Sequence, residues 1–488
     1  MSSVDVWTIA GFDPSAKAGV LVDRQLFSIL GLKSHALITA LTAQHDKAMT
    51  RVRPVDIHLF SEQFLLLKQC GWPKVIKIGL LPTKEYVQCL AQLLADFPGK
   101  IVYDPVMQAS VGPRLMASDA VVLIKSLLLP RITIMTPNLY EAHCLTEIPI
   151  HTSVDMQQAA NQLHQMGVSE VILKGGHLDG VFAQDLWSDG QRRYWLTLPR
   201  LHGVSLHGSG CIFSATLAGM LATEDNSLDA FVMAKMVTYQ ALNAQCAPLR
   251  VDENADHFPW LTNTIEEGQE RLSFAQVTKP LGLYTIINEI AWLKRLSAWG
   301  VRTLQWRDKE QSQAATARII EVTNFLRKKE VQLFINDDWQ TALKCQAYGV
   351  HLGQEDLDNA NLKCIADSGL RLGVSTHSLS ELARAKALNP SYIAFGPIFP
   401  TTTKRMIFPP QGLAKLATWR KWVENPLVAI GGINLHNIQE ILATGVDSVA
   451  MISAVTKAAN PRLACQQLLS YFKKNHALSK TSPAPTSR

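Results

Sequence analysis

From about Leu281 onward, a short β-branched or apolar run followed by a longer stretch of helical period recurs again and again, and this recurrence constrains the fold more than any other feature. The runs begin near Leu283, Val301, Val331, Gly349, Leu370, Tyr392, Leu427 and Ser448. Stretches of helical period, such as 314–329, 378–388 and 436–444, lie between them. Eight βα units in roughly 195 residues sit near the lower size limit of a (β/α)8 barrel, and closure leaves no exposed edge. The C-terminal half is therefore predicted to be an α/β TIM barrel.

The first half also alternates, with candidate strands at 6–10, 36–40, 75–78, 101–103, 132–135 and 171–173, which suggests an open, mostly parallel sheet. Two further runs, 181–187 and 192–198, flank Ser188-Asp189-Gly190-Gln191. That is hairpin chemistry and predicts an antiparallel edge. A helix over 209–222 follows a glycine-flanked turn. A polar, acidic stretch punctuated by Pro and Trp, 248–276, separates the halves. The expected organisation is one domain over 1–265, a linker over 266–279, the barrel over 280–474 and a disordered Ser/Thr/Pro-rich tail over 475–488.

At 488 residues the chain is too long for one ordinary core. Apolar residues make up 47% and charged residues 18%, enough apolar material for two large cores and too little charge for disorder. No apolar run approaches the roughly 20 residues of a membrane span, so no membrane partner is expected. The start, Met1-Ser2-Ser3-Val4-Asp5, has no basic region and meets an acid at once, which predicts no secretory signal and a cytoplasmic protein. The eight cysteines never form a C-x-x-C pair, so no zinc ribbon or dithiol motif is spelled out, and most are expected to be reduced and buried. Net charge is +6 from 47 bases and 41 acids. Lys457, Arg462, Lys473, Lys474, Lys480 and Arg488 lie in a C-terminal stretch without any acid, and without them the two signs balance. Basicity confined to one end is not a basic face with interleaved aromatics, so no nucleic-acid partner is expected.

Catalytic groups of such a barrel sit where its strands end, and the residues there are polar after seven of the eight runs. Gln305, Arg307 and Lys309 follow the second run, and Asn336, Asp337 and Asp338 the third. His351, Gln354, Glu355 and Asp356 follow the fourth, and Ser375 and Thr376 the fifth. Thr401-Thr402-Thr403-Lys404 follows the sixth, Gly431-Gly432 the seventh and Ser453 the eighth. Asp337 and Asp356, on adjacent strands, suit a hard divalent cation shared with substrate phosphates. Arg307, Lys309 and Lys404 suit a diphosphate, and Gly431-Gly432 with the Ile452-Ser453 backbone a second, smaller phosphate.

Gln305-Trp306-Arg307-Asp308-Lys309, Ile335-Asn336-Asp337-Asp338, Gly349-Val350-His351-Leu352-Gly353-Gln354-Glu355-Asp356, Gly373-Val374-Ser375, Thr401-Thr402-Thr403-Lys404 and Ala429-Ile430-Gly431-Gly432-Ile433 resemble thiamine-phosphate synthase over 281–473. The resemblance implies condensation of hydroxymethylpyrimidine diphosphate with a thiazole phosphate and release of pyrophosphate. It implies that Gln305, Arg307, Lys309, Asn336, Ser375 and Lys404 bind the pyrimidine diphosphate and that Asp337 and Asp356 bind Mg²⁺. Thr401, Thr403, Gly432, Ile452 and Ser453 would bind the thiazole phosphate. Trp306 stands where that family usually has a smaller apolar residue, which matters only if it faces the barrel mouth.

In the first half, His207-Gly208-Ser209-Gly210-Cys211 opens a helix whose unpaired N–H groups suit an anion. Asn138 and Glu141, three apart after a strand, can order a Mg²⁺ and its waters. Lys174, after another strand, offers a phosphate-binding cation, and Asp104-Pro105-Val106-Met107 follows a third. With Ile9-Ala10-Gly11-Phe12-Asp13-Pro14-Ser15 and Ile38-Thr39-Ala40-Leu41-Thr42-Ala43-Gln44, these resemble the hydroxymethylpyrimidine/phosphomethylpyrimidine kinases of the ribokinase-like superfamily, a three-layer fold, over about 5–250. By that resemblance Gln44 binds the pyrimidine, Asn138, Glu141 and Lys174 serve Mg²⁺-ATP, Gly208 and Gly210 form the anion hole and Cys211 is catalytic. A thiol beside an anion hole has a basis for a lowered pKa. Where the family's first turn carries glycines, this chain has Ala16 and Lys17, and His45-Asp46 replaces an Asn-Thr pair.

The two resemblances together imply a bifunctional enzyme of thiamine biosynthesis, because one half would make the diphosphate that the other consumes. Its expected partners are small molecules alone, with a homo-oligomer compatible with the sequence. A second reading makes the first half a non-catalytic pyrimidine-binding regulatory module, consistent with the altered glycine turn.

Overall fold

Val6, Ile9, Val75, Ile76 and Ile78 expose no surface, although neighbours along a strand point to opposite faces. Strands of this kind need helices on both sides. The computed structural model describes residues 4–45, 48–108, 115–116, 118–224, 226–248, 250–251, 253–265, 272–307, 313–401 and 408–479. It divides into two units, Met1–Gln269 and Glu270–Arg488.

The first unit is built on a ten-stranded sheet. Its strands are β1 (Asp5–Phe12), β2 (Lys33–His45), β3 (Ala48–Pro54), β4 (Val75–Ile78), β5 (Lys100–Tyr103), β6 (Ile134–Met135), β7 (Glu170–Leu173), β8 (Phe182–Ser188), β9 (Arg193–Pro199) and β10 (Trp260–Thr262). Their order is β10-β9-β8-β7-β6-β5-β4-β1-β2-β3. The pairs from β2 through β1 and β4 to β7 are parallel, while β3 and the β8–β9–β10 end are antiparallel. This is the expected mostly parallel sheet with a hairpin edge. Sequence periodicity missed β3 and β10. β3 is a half-exposed edge strand that alternates Arg51 and Arg53 with smaller residues, and β10 is a three-residue strand inside a polar stretch.

Trp7, Ile9, Ile76 and Ile78 share one core with Phe60, Phe64 and Tyr86 of the helices Ile57–Gln69 and Lys84–Leu93. The alternate residues Thr8 and Lys77 therefore face the opposite side, where the helices Gly19–Ile29 and Ser209–Thr223 lie.

The second unit is a closed barrel of eight parallel strands. They are β11 (Gly282–Ile287), β12 (Thr303–Trp306), β13 (Gln332–Asn336), β14 (Gly349–Leu352), β15 (Arg371–Thr376), β16 (Tyr392–Phe395), β17 (Leu427–Ile430) and β18 (Ser448–Met451). Its interior packs Tyr284, Phe334 and Tyr392 in one cluster. Two glycines make room for these rings: a Cβ at Gly349 would lie 2.5 Å from Phe334, and one at Gly373 would lie 2.1 Å from Tyr392. Gln305 points into this interior, so its neighbour Trp306 points out of it and the departure at Trp306 leaves the mouth unchanged.

Three observations bear on these expectations. The stretch expected as a linker is docked on the barrel where it is described: Phe274 is buried, Ala275 accepts from Ser391 Oγ and Gln276 from Arg371 Nε. The helix Pro461–Ser479 extends past residue 475, where the tail was expected to begin. The eight cysteines are all free, but only Cys345 and Cys465 are fully buried; Cys89, Cys144 and Cys211 are partly buried, and Cys70, Cys246 and Cys364 are exposed, which corrects the expectation that most are buried. No helix among the described residues is long and apolar enough to cross a membrane.

Two candidate active sites

In the first unit, a cavity of about 770 Å³ is lined by Asp13, Gln44, Asn138, Glu141, Lys174 and Cys211 among others. Gly208 caps the helix Ser209–Thr223 at φ +84°, and a Cβ there would lie 1.8 Å from the Lys17 carbonyl oxygen. Only glycine lets the helix start against the first turn of the chain. Gly19 answers from that turn at φ +63°, where a Cβ would lie 2.1 Å from the Gly11 oxygen. The buried Asp13 carboxylate holds the turn by accepting the Ser15 and Ala18 N–H groups, and His207 Nε2 lies 3.5 Å from it. Ala16 takes φ +57°, a left-handed conformation that a Cβ disfavours.

Lys174 Nζ lies 2.9 Å from Asp104 Oδ1, and Ser214 Oγ donates to the other oxygen of Asp104. A Cβ on Gly210 would stand 3.2 Å from that ammonium. Burial works against the Lys174 charge, but Asp104 and Glu141 outweigh it and hold the pKa above its ordinary value. Asn138 and Glu141 form a reciprocal cap: Glu141 N–H donates to Asn138 Oδ1 and Asn138 N–H to Glu141 Oε2, each at 2.8 Å. The spacing read as a metal-ordering pair is thus also a helix-capping device. Burial, and Asp104 after it, push the Glu141 carboxyl up to about 7 against the pull of Lys174.

Cys211 departs from expectation. Burial pushes its thiol up to about 11, and the opposing attraction of Lys77 is the smaller effect, so the group is a thiol rather than a thiolate at neutral pH. Gln44 lies at a register shift between β2 and β3 and lines the cavity.

Several residues of this site escaped sequence reasoning. Lys77 and Asp23 are fully buried with Nζ 2.9 Å from Oδ2, and Thr8 Oγ1 donates to the same carboxylate. Burial disfavours the Lys77 charge, yet Asp23 holds it charged. The one signal was a lysine inside the apolar run Val75-Ile76-Lys77-Ile78. Asp185 accepts the Gly175 N–H and pairs with Lys235 at 2.8 Å, while Arg200 donates to the carbonyls of Gly176, Leu178, Gly180 and Phe182. These bonds fix the loop that follows Lys174.

In the barrel, Gln305 is buried and donates from Nε2 to Tyr284 OH. Arg307 is half-buried, its N–H on the Ile287 carbonyl. Asn336 Nδ2 donates to the carboxylate of Asp337, which stands at φ +63° with its N–H on the His351 carbonyl. Asp356 Oδ2 accepts the Gly353 N–H. His351 lies within β14 rather than past its end. Its Nε2 is 2.8 Å from Ser375 Oγ, and burial, then Arg307 and His377, push its pKa down to about 4. Gln354 Nε2 donates to the Ser375 carbonyl.

Gly431 and Gly432 have φ of +100° and +67°, and Cβ atoms there would lie 2.6 Å from Pro397 and from the Pro400 oxygen. The pair thus brings the loop after β17 against the loop that carries Thr401. Ile452 and Ser453 form the start of the short helix Ser453–Thr456. Lys309, Thr403 and Lys404 lie outside the described residues. Among the described residues, no three His, Cys, Asp or Glu side chains converge as a metal cage. Asp337 and Asp356 are carboxylates, the hard oxygen donors that suit Mg²⁺, an ion that keeps waters and takes substrate phosphates for the rest.

An open, mostly parallel sheet with a glycine-capped helix at its cavity, and a parallel barrel with polar strand ends, define a chain of two phosphate-handling transferases. The family model described as phosphomethylpyrimidine kinase matches residues 13–256, and that described as thiamine monophosphate synthase matches residues 283–455. The chain belongs to both families. It is 50% identical over 199 residues to a thiamine-phosphate synthase of Pectobacterium atrosepticum, covering 40% of this chain and 93% of that one. A thiamine-phosphate synthase of Salmonella choleraesuis is 50% identical over 198 residues, covering 40% and 94%. Among solved structures, a pyridoxal kinase from Staphylococcus aureus aligns with a TM-score of 0.50 and 27% identity over 54% of this chain and 100% of its own. A phosphomethylpyrimidine kinase from Clostridium difficile aligns with a TM-score of 0.44 and 29% identity over 49% and 99%.

Proposed function

We propose that this chain catalyses consecutive steps of thiamine biosynthesis: ATP-dependent phosphorylation of hydroxymethylpyrimidine and its phosphate to the diphosphate, then condensation with thiazole phosphate to thiamine phosphate. What supports this reading most is that one chain carries a glycine-capped helix start at 208–211 beside a cavity and, in the barrel, Gln305, Asn336 and Ser375 held by hydrogen bonds on their strands. The regulatory-module alternative is not favoured, since Lys174, Asp104 and the Gly208–Cys211 turn are assembled around one cavity.

In the kinase half, Gln44 holds the pyrimidine, and Asn138, Glu141 and Lys174 serve the nucleotide. The Gly208 and Gly210 N–H groups, with Cys211, receive the charge that develops as the γ-phosphoryl passes from ATP to the substrate hydroxyl and ADP leaves. In the barrel, Gln305, Asn336 and Ser375 orient the pyrimidine, and Arg307, with Lys309 and Lys404, grips the diphosphate. The bond from the pyrimidine methylene to pyrophosphate breaks, pyrophosphate carries away the electron pair, and the thiazole nitrogen captures the methylene. Thr401, Thr403, Gly432, Ile452 and Ser453 hold the thiazole phosphate in line. Asp337 and Asp356 would hold Mg²⁺, which neutralises charge on the leaving group when bound. Positioning and electrostatics suffice, with no protein nucleophile. We place these reactions in the cytoplasm, with small molecules as the only partners.

The test supplies hydroxymethylpyrimidine, Mg²⁺-ATP and thiazole phosphate and follows each intermediate. Both phosphorylated pyrimidines and then thiamine phosphate are expected. Binding of the pyrimidine without phosphorylation would overturn the kinase half alone.

A further inference from the structure

Five polar side chains from five strands cross the interior of the barrel in one hydrogen-bonded chain. Gln305 Nε2 donates to Tyr284 OH at 3.1 Å, the Tyr284 and Tyr392 hydroxyls are 2.8 Å apart, Tyr392 OH is 2.7 Å from His351 Nδ1, and His351 Nε2 is 2.8 Å from Ser375 Oγ. The chain is built rather than incidental. Gly373 clears its path, since a Cβ there would lie 2.4 Å from the Tyr392 hydroxyl, and the His351 and Tyr392 rings stack with their planes 18° apart. The two ends, Gln305 and Ser375, are residues assigned above to the pyrimidine. The three middle members have no role in that assignment.

The Tyr–Tyr bond and both imidazole bonds can run either way, and one direction uses every hydroxyl once as donor and once as acceptor. In that direction Tyr284 oxygen accepts from the Gln305 amide and gives its own hydrogen to Tyr392 oxygen. Tyr392 in turn passes its hydrogen to His351 Nδ1. The ring proton of the imidazole then stands on Nε2 and is donated to Ser375 Oγ. With its acceptor lobe engaged from behind, Ser375 has its hydroxyl hydrogen left to give.

We propose that Tyr284, Tyr392 and His351 are positioning residues that fix Ser375 Oγ as a hydrogen-bond donor toward the ligand, so that the barrel selects pyrimidines presenting an unprotonated ring nitrogen beside an amino group. The proposal rests on the reading of the barrel as a pyrimidine-diphosphate site. A 4-oxo analogue carries N–H where the 4-aminopyrimidine carries a bare nitrogen, so it meets a donor with a donor and is rejected. Mispaired buried groups of this kind are costly, which is why a hidden chain can set selectivity.

The test uses the full-length protein with thiazole phosphate and either the 4-amino or the 4-oxo pyrimidine diphosphate. Tyr392→Phe keeps the ring and breaks the chain. It is expected to lower kcat/KM for the amino substrate about tenfold, mainly through KM, and to shrink the preference for amino over oxo by a similar factor. The KM for thiazole phosphate should not move, and Ser375→Ala should cost less in the Tyr392→Phe background than in the wild type. Tyr284→Phe should give a smaller change of the same sign. Independently, ¹⁵N resonances of His351 in the wild-type protein should show a bare Nδ1 and a protonated Nε2. A preference unchanged in folded Tyr392→Phe and Tyr284→Phe, or a proton on Nδ1 alone, overturns the proposal. If the variants do not fold, the ¹⁵N measurement decides. Absence of thiamine phosphate from the wild type with the amino substrate overturns the barrel reading instead, and the tautomer measurement still decides the chain's direction.

Discussion

The Lys174 ammonium lies 2.9 Å from the Asp104 carboxylate, and a Cβ on residue 210 would stand 3.2 Å from that ammonium, crowding the pair. Gly210 therefore leaves room for the cation beside the helix start. Gly210→Ala should lower pyrimidine phosphorylation about tenfold or more, while the barrel reaction fed with ready-made diphosphate keeps its rate. Assaying the two activities separately on one preparation checks this.

Cys211 is held as a thiol by burial, so its charge appears only as pH rises toward about 11. Between pH 6 and 9 the kinase rate should therefore show no rise from this group, and profiles of wild type and Cys211→Ala should run parallel. The variant itself is expected to be slower by about ten- to a hundredfold, since a donor at the anion hole is lost while backbone N–H groups remain. A wild-type rate that climbs with pH where the variant's is flat would show a reactive thiolate.

Ala16 stands in the left-handed region at φ +57°. Ala16→Gly should raise the unfolding free energy of the first unit by about 1 kcal/mol, read from denaturant midpoints.

Removing one partner of the buried Lys77–Asp23 pair strands the other charge. Lys77→Met should destabilise the protein by about 3–5 kcal/mol, and adding Asp23→Leu should restore part of that loss. Urea unfolding of the single and double variants, compared as a cycle, measures it.

Asp337→Ala should abolish Mg²⁺-dependent formation of thiamine phosphate while kinase activity persists. Asp356 needs a gentler change, because its Oδ2 also accepts the Gly353 N–H. Asp356→Asn keeps an acceptor for that cap, so metal dependence should weaken with stability held, whereas Asp356→Ala should also cost about 1 kcal/mol of stability. Mg²⁺ titration curves for the three variants equal to that of the wild type would reject the ligand pair.

The amino-acid sequence by itself determined the two architectures, because apolar runs buried on both faces, spaced by helical stretches, have few ways to close. It also marked the strand-end residues from Gln305 to Ser453 and the Gly208–Cys211 turn, since strand ends and helix starts are local features. Edge strands β3 and β10 were not legible, being short or half-exposed and so lacking an apolar run. Tertiary structure alone decided what neighbours do to one another. It set the thiol of Cys211 above rather than below its usual range, because burial outweighed Lys77. It turned Trp306 away from the barrel interior, paired Lys77 with Asp23 across 54 positions of chain, and linked Gln305 to Ser375 through Tyr284, Tyr392 and His351. Hydrogen bonds and Coulomb interactions act over a few ångströms in space, and no periodicity along the chain encodes which residues folding brings that close.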